Sequence, residues 1–373
     1  MSSEFQVPPP GYYIQEELDA RGWSQRDLAF ILGIQETALN KIINGKTGVS
    51  IDMSRALGTA FDVDHDFFAN LQKSYDLARA PAPDPAIARR AKLQTAYPVR
   101  EMIKRGWLGD TSDAAQLQAQ LGRFLRAANS NDVLQPRHAA KKTNAGEEAT
   151  PAQLAWLYRV IQIAEAVPSP PYAERALKNK MPQLKGLMAE PEGAQHVPRM
   201  LMECGVRLVF VEGLPNAKID GVCVWLDQTA PVIGMSLRFD RIDNFWFVLC
   251  HELAHVLHRH GKTEPIIDVE LEGERASDSI TLIDEERVAN RAAAEHCISQ
   301  HEIATFIARK DPFFAERDVI GFARRMQVHP GIVVGQIQNR TKRWDLLRRH
   351  LVKIRQQVLP GALVDGWGQV APV

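Results

Sequence analysis

Hydrophobic and polar residues follow two different periods along this chain. Near the N-terminus, apolar residues recur every three or four positions in short segments that end at glycines, as in amphipathic helices. Farther along, the runs VRLVFVEG, GVCVWLDQ and PVIGMSLR are β-like, and the pairs Pro215-Asn216 and Asp220-Gly221 read as turns between them. The pattern predicts an all-α N-terminal region followed by a region that mixes strands with helices.

Two of the short N-terminal helices surround a glycine turn. Ser24 is a good N-cap for the first, Gly33 breaks it, and the second runs from Gln35 to Asn44. The sequence motif S-Q-x-x-L-A-x-x-L-G-I followed by L-x-x-I-I-N-G-K resembles the Xre/Cro-type helix-turn-helix family, most closely its HigA-type antitoxin branch. This resemblance covers residues 10–75 and implies that the second helix enters the major groove of DNA.

Exposed polar residues around this second helix are the candidates for DNA contact. They are Gln25, Gln35, Glu36, Thr37, Asn40 and Lys41. Glutamine and asparagine can pair with adenine, threonine can meet a thymine methyl group, and Gln25 could donate to a phosphate. Acidic residues nevertheless outnumber basic ones within residues 1–80, and phosphate attraction supplies most non-specific DNA affinity. Either the acids lie away from the docking face, or the bundle binds protein.

Composition shifts divide the chain into four parts. A PAPDP segment at Pro81 to Pro85 follows the helix-turn-helix domain, which spans residues 1–80. Residues 81–150 are predicted to form a helical linker with a solvated basic face. The more apolar residues 151–359 are predicted to form a domain of strands and helices. Residues 360–373 read as a flexible tail. The expected fold class is therefore multidomain, with an all-α bundle, a helical linker and an α+β domain.

Charge and cysteine content exclude several classes of protein. The 45 basic and 45 acidic residues cancel, so no global charge argues for nucleic acid or membrane as a partner. No apolar run approaches the roughly 18 residues that span a bilayer, and nothing resembles a signal peptide. The four cysteines form no C-x-x-C pair, which disfavours a disulfide scaffold or a cysteine zinc site. We therefore expect a cytoplasmic protein with no membrane partner.

The strongest chemical signal is the run from Asn244 to His260, which reads as one mostly buried helix. His251 and His255 are four positions apart, so they share one face of that helix. Two neutral imidazoles at this spacing can hold one divalent metal, and Glu252 can act on a water molecule as general base without being a ligand. This is the H-E-x-x-H pattern of zinc hydrolases. The alternative is a core helix whose histidines bond to backbone.

A third protein ligand is needed, because two histidines leave a tetrahedral metal short by one protein ligand and a water. The following helix offers Asp284, Glu285 and Glu286. The order H-E-x-x-H and then E-x-x-A-N resembles the gluzincin-like arrangement of the ImmA/IrrE metallopeptidase family, over residues 195–335. The resemblance implies Glu286 as the ligand. Glu285 is the runner-up, because one residue rotates a side chain by about 100°, and a plain acidic first turn of a helix is the alternative.

Together the two resemblances imply a regulator that joins an Xre-type DNA reader to a zinc-dependent endopeptidase. The two motif histidines and Glu286 would hold Zn²⁺, Glu252 would be the general base, and His296 or Arg291 would stabilise the oxyanion. The expected partners are operator DNA and a protein substrate, such as a helix-turn-helix repressor, a toxin or the chain itself; a homodimer is left open. The alternative function is a HigA-like antitoxin repressor whose zinc domain is structural or sensory.

Overall fold

The computed structural model describes residues 7–127, 141–142, 149–262, 265–269, 271 and 284–371. The chain forms two compact units, Met1–Asp84 and Pro85–Val373. Within the described part of the chain, no helix combines the length and the apolar character that a membrane span requires.

The N-terminal unit is all α-helical. Its helices are α1 (Pro10–Arg21), α2 (Gln25–Leu32), α3 (Glu36–Ile43), α4 (Ile51–Phe61) and α5 (Phe67–Arg79). Helix α2 begins in a capping box, in which the backbone N–H of Asp27 donates to Ser24 and that of Ser24 donates to Asp27. Gly33 ends α2 with φ at 67°, a left-handed conformation that glycine adopts without steric cost. The expected pair of helices around Gly33 is confirmed.

The C-terminal unit contains the remaining helices and all described strands. Its helices are α6 (Pro85–Ala96), α7 (Val99–Lys104), α8 (Ala114–Phe124), α9 (Pro151–Glu165), α10 (Glu174–Gly186), α11 (Val197–Met202), α12 (Ile242–His258), α13 (Asp284–Cys297), α14 (Gln300–Lys310), α15 (Glu316–Met326), α16 (Pro330–Thr341) and α17 (Arg355–Val358). Its strands are β1 (Lys141–Lys142), β2 (Arg207–Val211), β3 (Ile219–Trp225), β4 (Pro231–Met235), β5 (Ile266–Val269) and β6 (Leu363–Asp365).

These strands form one mixed sheet in the order β1-β5-β3-β4-β2-β6. Strand β3 is antiparallel to both β4 and β5, whereas the other neighbouring pairs are parallel. The three expected β-like runs are confirmed as β2, β3 and β4. The pair Asp220-Gly221 is not a turn, however, because both residues lie inside β3, where the register shifts between Ile219 and Gly221. Such a β-bulge re-aims one side chain without ending the strand.

The sheet is buried on both faces. Along β2, Leu208 and Phe210 join the core that surrounds α12, while Val209 and Val211 point the opposite way into a core with α9. Strands covered on both faces have almost continuous apolar sequences. The strands could therefore be predicted from the sequence, but the residues that pack against each face of the sheet could not.

The described part of residues 81–150 is not an independent linker. Helices α6 and α7 bury Leu93 and Met102 in one cluster with Trp156 of α9 and with the sheet. Charged residues such as Arg89 lie on the exposed side, and they dominate the sequence of these helices. Which apolar residues become buried depends on the partner that they meet. The expected separate linker is therefore wrong, and α6, α7 and α8 belong to the C-terminal unit.

The expected flexible tail is also wrong as far as Ala371. Residues Leu363–Asp365 form β6, which pairs in parallel with β2. Asp365 is buried, where its Oδ2 accepts a hydrogen bond of 2.8 Å from Nε of Arg159 and its Oδ1 accepts one of 2.9 Å from Nε1 of Trp107. The partners are more than 200 positions from Asp365, so no local pattern could reveal them.

Replacing Asp365 with alanine is expected to lower the free energy of unfolding by about 3–5 kcal/mol, because it leaves the Arg159 guanidinium buried without its counter-charge. The pair is almost fully buried, at 5% and 1% side-chain exposure. Urea unfolding measures the change. Asp345→Ala removes an exposed carboxylate and serves as the control, with little expected change. Equal stability of the two variants would contradict the structural role of the buried pair.

Candidate metal centre

Helix α12 places both motif histidines inside the core. Its residues from Ile242 to Val256 are buried, because the helix packs against the sheet on one side and against α13 and α16 on others. His251 and His255 lie one turn apart, and both are fully buried. Their side chains point towards α13, where Glu286 is also fully buried.

Four side chains converge at this point. The two Nε2 atoms of His251 and His255 are 2.9 Å apart. Oε2 of Glu286 lies 3.3 Å from Nε2 of His251, and its Oε1 lies 3.2 Å from Nε2 of His255. On β5, Oδ2 of Asp268 lies 3.4 Å from Nε2 of His251. One ligand atom from each of the four residues falls within 4.8 Å of all the others.

This donor set fits a divalent zinc ion. Ligand atoms at about 2.0–2.2 Å from a tetrahedral zinc lie about 3.3–3.6 Å from one another. The nitrogen–oxygen separations of 3.2–3.4 Å agree with this, and the nitrogen–nitrogen separation of 2.9 Å is slightly shorter. Two carboxylates and two neutral imidazoles carry the charge that a divalent cation neutralises, and imidazole with carboxylate is a ligand combination that zinc accepts.

The electrostatics of the cluster also favour a cation. Burial alone would lower the pKa of His251, but the carboxylates of Asp268 and Glu286 outweigh burial and raise it to about 10. Burial alone would raise the pKa of Glu286, but contact with His251 and His255 lowers it below its usual range. The surroundings therefore stabilise positive charge at the imidazole of His251 and negative charge on Glu286, as a site that binds a metal cation requires.

The structure brings together the three residues that the sequence analysis named as ligands. Glu286 faces the cluster, whereas Glu285, the runner-up, is turned away and partly exposed. Asp268 was missed, because the sequence around it carried no recognisable motif. Its signal was a single acid within the apolar run Ile266–Val269, since a charge inside a buried strand needs a partner.

Glu252 lies beside the cluster, fully buried against the sheet. A Cβ atom added to Gly221 of β3 would stand 2.0 Å from Oε1 of Glu252, so only glycine lets the carboxylate rest there. Burial, and after it the carboxylate of Asp268, raises the pKa of Glu252 well above its usual range. Gly221 was also missed; its signal was a glycine inside a strand, which often marks a close approach by another group.

His260 supports the second histidine of the motif. Its Nδ1 lies 2.9 Å from Nδ1 of His255, and its backbone carbonyl accepts a hydrogen bond of 2.9 Å from Nε1 of Trp225. A partner on Nδ1 fixes the ring orientation and leaves Nε2 of His255 free to face the cluster. His258 is exposed.

Neither residue suggested for oxyanion stabilisation lies beside the cluster. Arg291 is exposed and lies five residues after Glu286, a rotation of about 140° round the helix. His296 lies ten residues after Glu286, or about 15 Å along the helix axis. Burial lowers the pKa of His296 to about 4, with Lys185 as a second cause, so this imidazole is neutral. The prediction that Arg291 or His296 stabilises the oxyanion is therefore wrong, because neither residue lies beside the cluster.

In the N-terminal unit, the candidate DNA contacts lie mostly on the solvent side of α3. Gln35, Glu36, Thr37, Asn40 and Lys41 are all exposed.

Two of these polar residues have partners within the unit. Oε1 of Gln25 accepts a hydrogen bond of 3.2 Å from Nδ2 of Asn40, and Nε2 of Gln25 donates to Gln15 at 3.3 Å. Glu36 lies 3.5 Å from the guanidinium of Arg26, so one acid of this surface is partly neutralised.

Comparison with known proteins matches two parts of the chain. Residues 14–68 match the family described as Helix-turn-helix, and residues 204–334 match the family described as IrrE N-terminal-like domain. Virulence-associated protein A′ of Dichelobacter nodosus is 40% identical over 73 residues, which are 19% of this chain and 64% of that protein. The chain thus spans less than two thirds of that relative.

The first match contains α2 and α3, and the second contains the whole cluster of His251, His255, Asp268 and Glu286. Both resemblances that the sequence motifs indicated are confirmed. The chain thus combines a helix-turn-helix segment with a segment similar to the IrrE N-terminal-like domain.

Proposed function

We propose that this protein is a DNA-binding transcriptional regulator with a zinc-dependent endopeptidase domain. The observation that carries the proposal is the convergence of His251, His255 and Glu286 with Glu252 directly beside them, in a domain whose matched family is named for peptidases. A metal that only stabilised the fold would need the ligands but not Glu252. The carboxylate of Glu252 is fully buried, and burial together with the neighbouring carboxylate of Asp268 raises its pKa, which supports a chemical role.

In this proposal, the chain's own residues position and move the proton. Zinc held by the two histidines and Glu286 would polarise a peptide carbonyl and lower the pKa of a water molecule towards about 7. Glu252 takes the proton of the attacking water and returns it to the departing amine. Gly221 leaves the space that the carboxylate of Glu252 needs.

A peptide library tests the peptidase directly. The full chain, purified with zinc, is incubated with peptides derived from a whole proteome, and new termini are identified by mass spectrometry. We expect slow cleavage that stops when 1,10-phenanthroline removes zinc and returns when zinc is restored. New termini that form equally well in the presence of the chelator would contradict a metallopeptidase.

The polar surface of α3 supports sequence-specific DNA binding. Thr37, Asn40 and Lys41 project to solvent there, as expected for a helix that reads base edges. The regulator would act where its operator lies, in the cytoplasm, and as a homodimer if that operator has two half-sites. Its protein substrate would be a helix-turn-helix repressor, a partner toxin or the chain itself.

Replacing Lys41 with alanine is expected to weaken operator binding and to reduce the slope of log affinity against log salt by about one. Duplexes selected from a random-sequence pool serve as the operator, and fluorescence anisotropy at several salt concentrations measures both quantities. Lys73→Ala removes an exposed lysine of α5 and is the matched control. If the two variants bind like the unaltered chain, Lys41 makes no phosphate contact.

A second function has one observation in its favour. Asp268 adds a fourth protein side chain to the cluster, and zinc sites with four protein ligands are usually structural. The chain would then be a HigA-like antitoxin repressor whose metal domain is structural or sensory. A gel-shift assay distinguishes this candidate, because DNA binding that depends on zinc, with no cleavage of any peptide, would favour it.

A further inference from the structure

We propose that strand β5 occupies the place of the peptide substrate and keeps the peptidase closed. This inference rests on the proposed endopeptidase function and concerns its regulation. In the closed state, β5 pairs along β3 while Asp268 takes the coordination position that a water molecule or a substrate carbonyl requires. The chain therefore inhibits itself, and an extended polypeptide that pairs with β3 must displace β5 before it can be cleaved.

The register of the sheet aligns β5 with β3 residue by residue. Strand β5 is antiparallel to β3, with Gly221 opposite Asp268, Val222 opposite Ile267 and Cys223 opposite Ile266. Backbone pairing of this kind is how a sheet edge holds an extended peptide. On its other side, β5 pairs in parallel with the two-residue strand β1.

Gly221 marks the point of β3 that lies against the proposed general base. Glu252 lies against Gly221, so a scissile peptide must place its carbonyl near that point to meet the general base. The β5 residue opposite Gly221 is Asp268, and its Oδ2 lies 3.4 Å from Nε2 of His251. Asp268 thus stands at the point where a substrate would meet both Glu252 and the ligands.

The side chains of the site are fully buried. His251, Glu252, His255, Asp268 and Glu286 are all 0% exposed. A peptidase must admit a polypeptide and water to its ligands, and a catalytic zinc site keeps one position open. None of these five side chains is accessible in the described arrangement, so a rearrangement must precede hydrolysis.

A hydrogen bond outside the ligand cluster holds the chain just beyond the C-terminal end of β5. Oδ2 of Asp220, the bulged residue of β3, accepts a hydrogen bond of 2.8 Å from the backbone N–H of Leu271. Its Oδ1 accepts one of 3.0 Å from Nε of Arg238. Asp220 is outside the ligand set, so its removal loosens β5 while all four ligands remain.

The test uses the full zinc-loaded chain and a fluorescent peptide hydroxamate, a probe that binds zinc only where a position is open. We expect the unaltered chain to bind the probe weakly, and Asp268→Ala and Asp220→Ala each to bind it at least tenfold more tightly while zinc is retained. Asp284→Ala removes an exposed acid from α13 and should bind like the unaltered chain. Anisotropy gives the affinities, and atomic emission gives the zinc content.

Asp220→Ala keeps the test decisive if Asp268→Ala loses its metal. If Asp220→Ala retains zinc and binds the hydroxamate no better than Asp284→Ala, β5 is not a displaceable cover and the proposal is overturned. Tight binding by the unaltered chain overturns it as well. If the hydroxamate binds tightly to Asp220→Ala but no library peptide is cleaved, β5 does cover the metal, and the endopeptidase function fails instead.

A covalent lock provides a reversible control. Cys223 of β3 is opposite Ile266, and directly paired residues of antiparallel strands are close enough for a disulfide. In an Asp220→Ala, Ile266→Cys double variant, oxidised glutathione should join the two thiols and release two reduced glutathione thiols. We expect weak hydroxamate binding when oxidised and tight binding after dithiothreitol. Tight binding in both states, with the disulfide verified by mass spectrometry, would contradict the proposal.

Discussion

Zinc affinity is expected to fall by more than about 100-fold when Glu286 is replaced with glutamine, because losing a partner outside the ligand set already costs 10–100-fold. The carboxylate of Glu286 is in contact with both imidazoles, so its loss removes a ligand and half of the negative charge that Asp268 and Glu286 contribute. Competition against a fluorescent zinc chelator measures the affinity of the purified chain.

Glu285→Gln is the matched control for this prediction. It removes the same charge from the neighbouring position of α13, but its side chain is partly exposed and outside the cluster. We expect its zinc affinity to stay close to that of the unaltered chain. If the two glutamine variants lost zinc equally, the assignment of Glu286 as the ligand would be wrong. The loss of zinc would then reflect the total negative charge in the first turn of α13.

Replacing Glu252 with glutamine is expected to reduce peptide hydrolysis about 10²–10⁴-fold, the usual contribution of a general acid–base group. Glutamine has the same size, so it fits beside Gly221, but it cannot take a proton from water. The rate is measured on one peptide identified from the library, both in the unaltered chain and in the Asp220→Ala background, where access to the site is expected to be greater.

Zinc content separates this catalytic effect from a loss of structure. Because Glu252 is outside the set of four ligands, Glu252→Gln should retain about one zinc per chain. Asp284→Asn, an exposed substitution on α13, should cleave the peptide at the original rate. Cleavage by Glu252→Gln at the rate of Asp284→Asn would end the assignment of Glu252 as the base.

The parts of the site that could be predicted from the sequence are those fixed by local geometry. His251, Glu252 and His255 belong to one helix, where a spacing of four places two side chains on one face. Glu286 was recognised from the E-x-x-A-N frame, which also lies on a single helix. The helix-turn-helix was equally legible, because Ser24 and Gly33 mark helix ends through local backbone chemistry.

The parts of the site that could not be predicted from the sequence depend on strand pairing between distant segments. Asp268 reaches the cluster only because β5 pairs with β3 in one register, and a slip of one residue would turn its side chain to the other face. Gly221 is adjacent to Glu252 for the same reason. The Arg159–Asp365 pair joins α9 to β6, and no pattern within either segment indicates the other.

The central claim, that two imidazoles and a later carboxylate hold one zinc ion, is tested most directly by X-ray absorption spectroscopy at the zinc edge of the full chain. We predict one zinc per chain with nitrogen and oxygen ligands at about 2.0–2.2 Å, including the multiple-scattering signature of two imidazoles. A zinc–sulfur shell at about 2.3 Å, or a chain that retains no zinc after purification, would contradict the account.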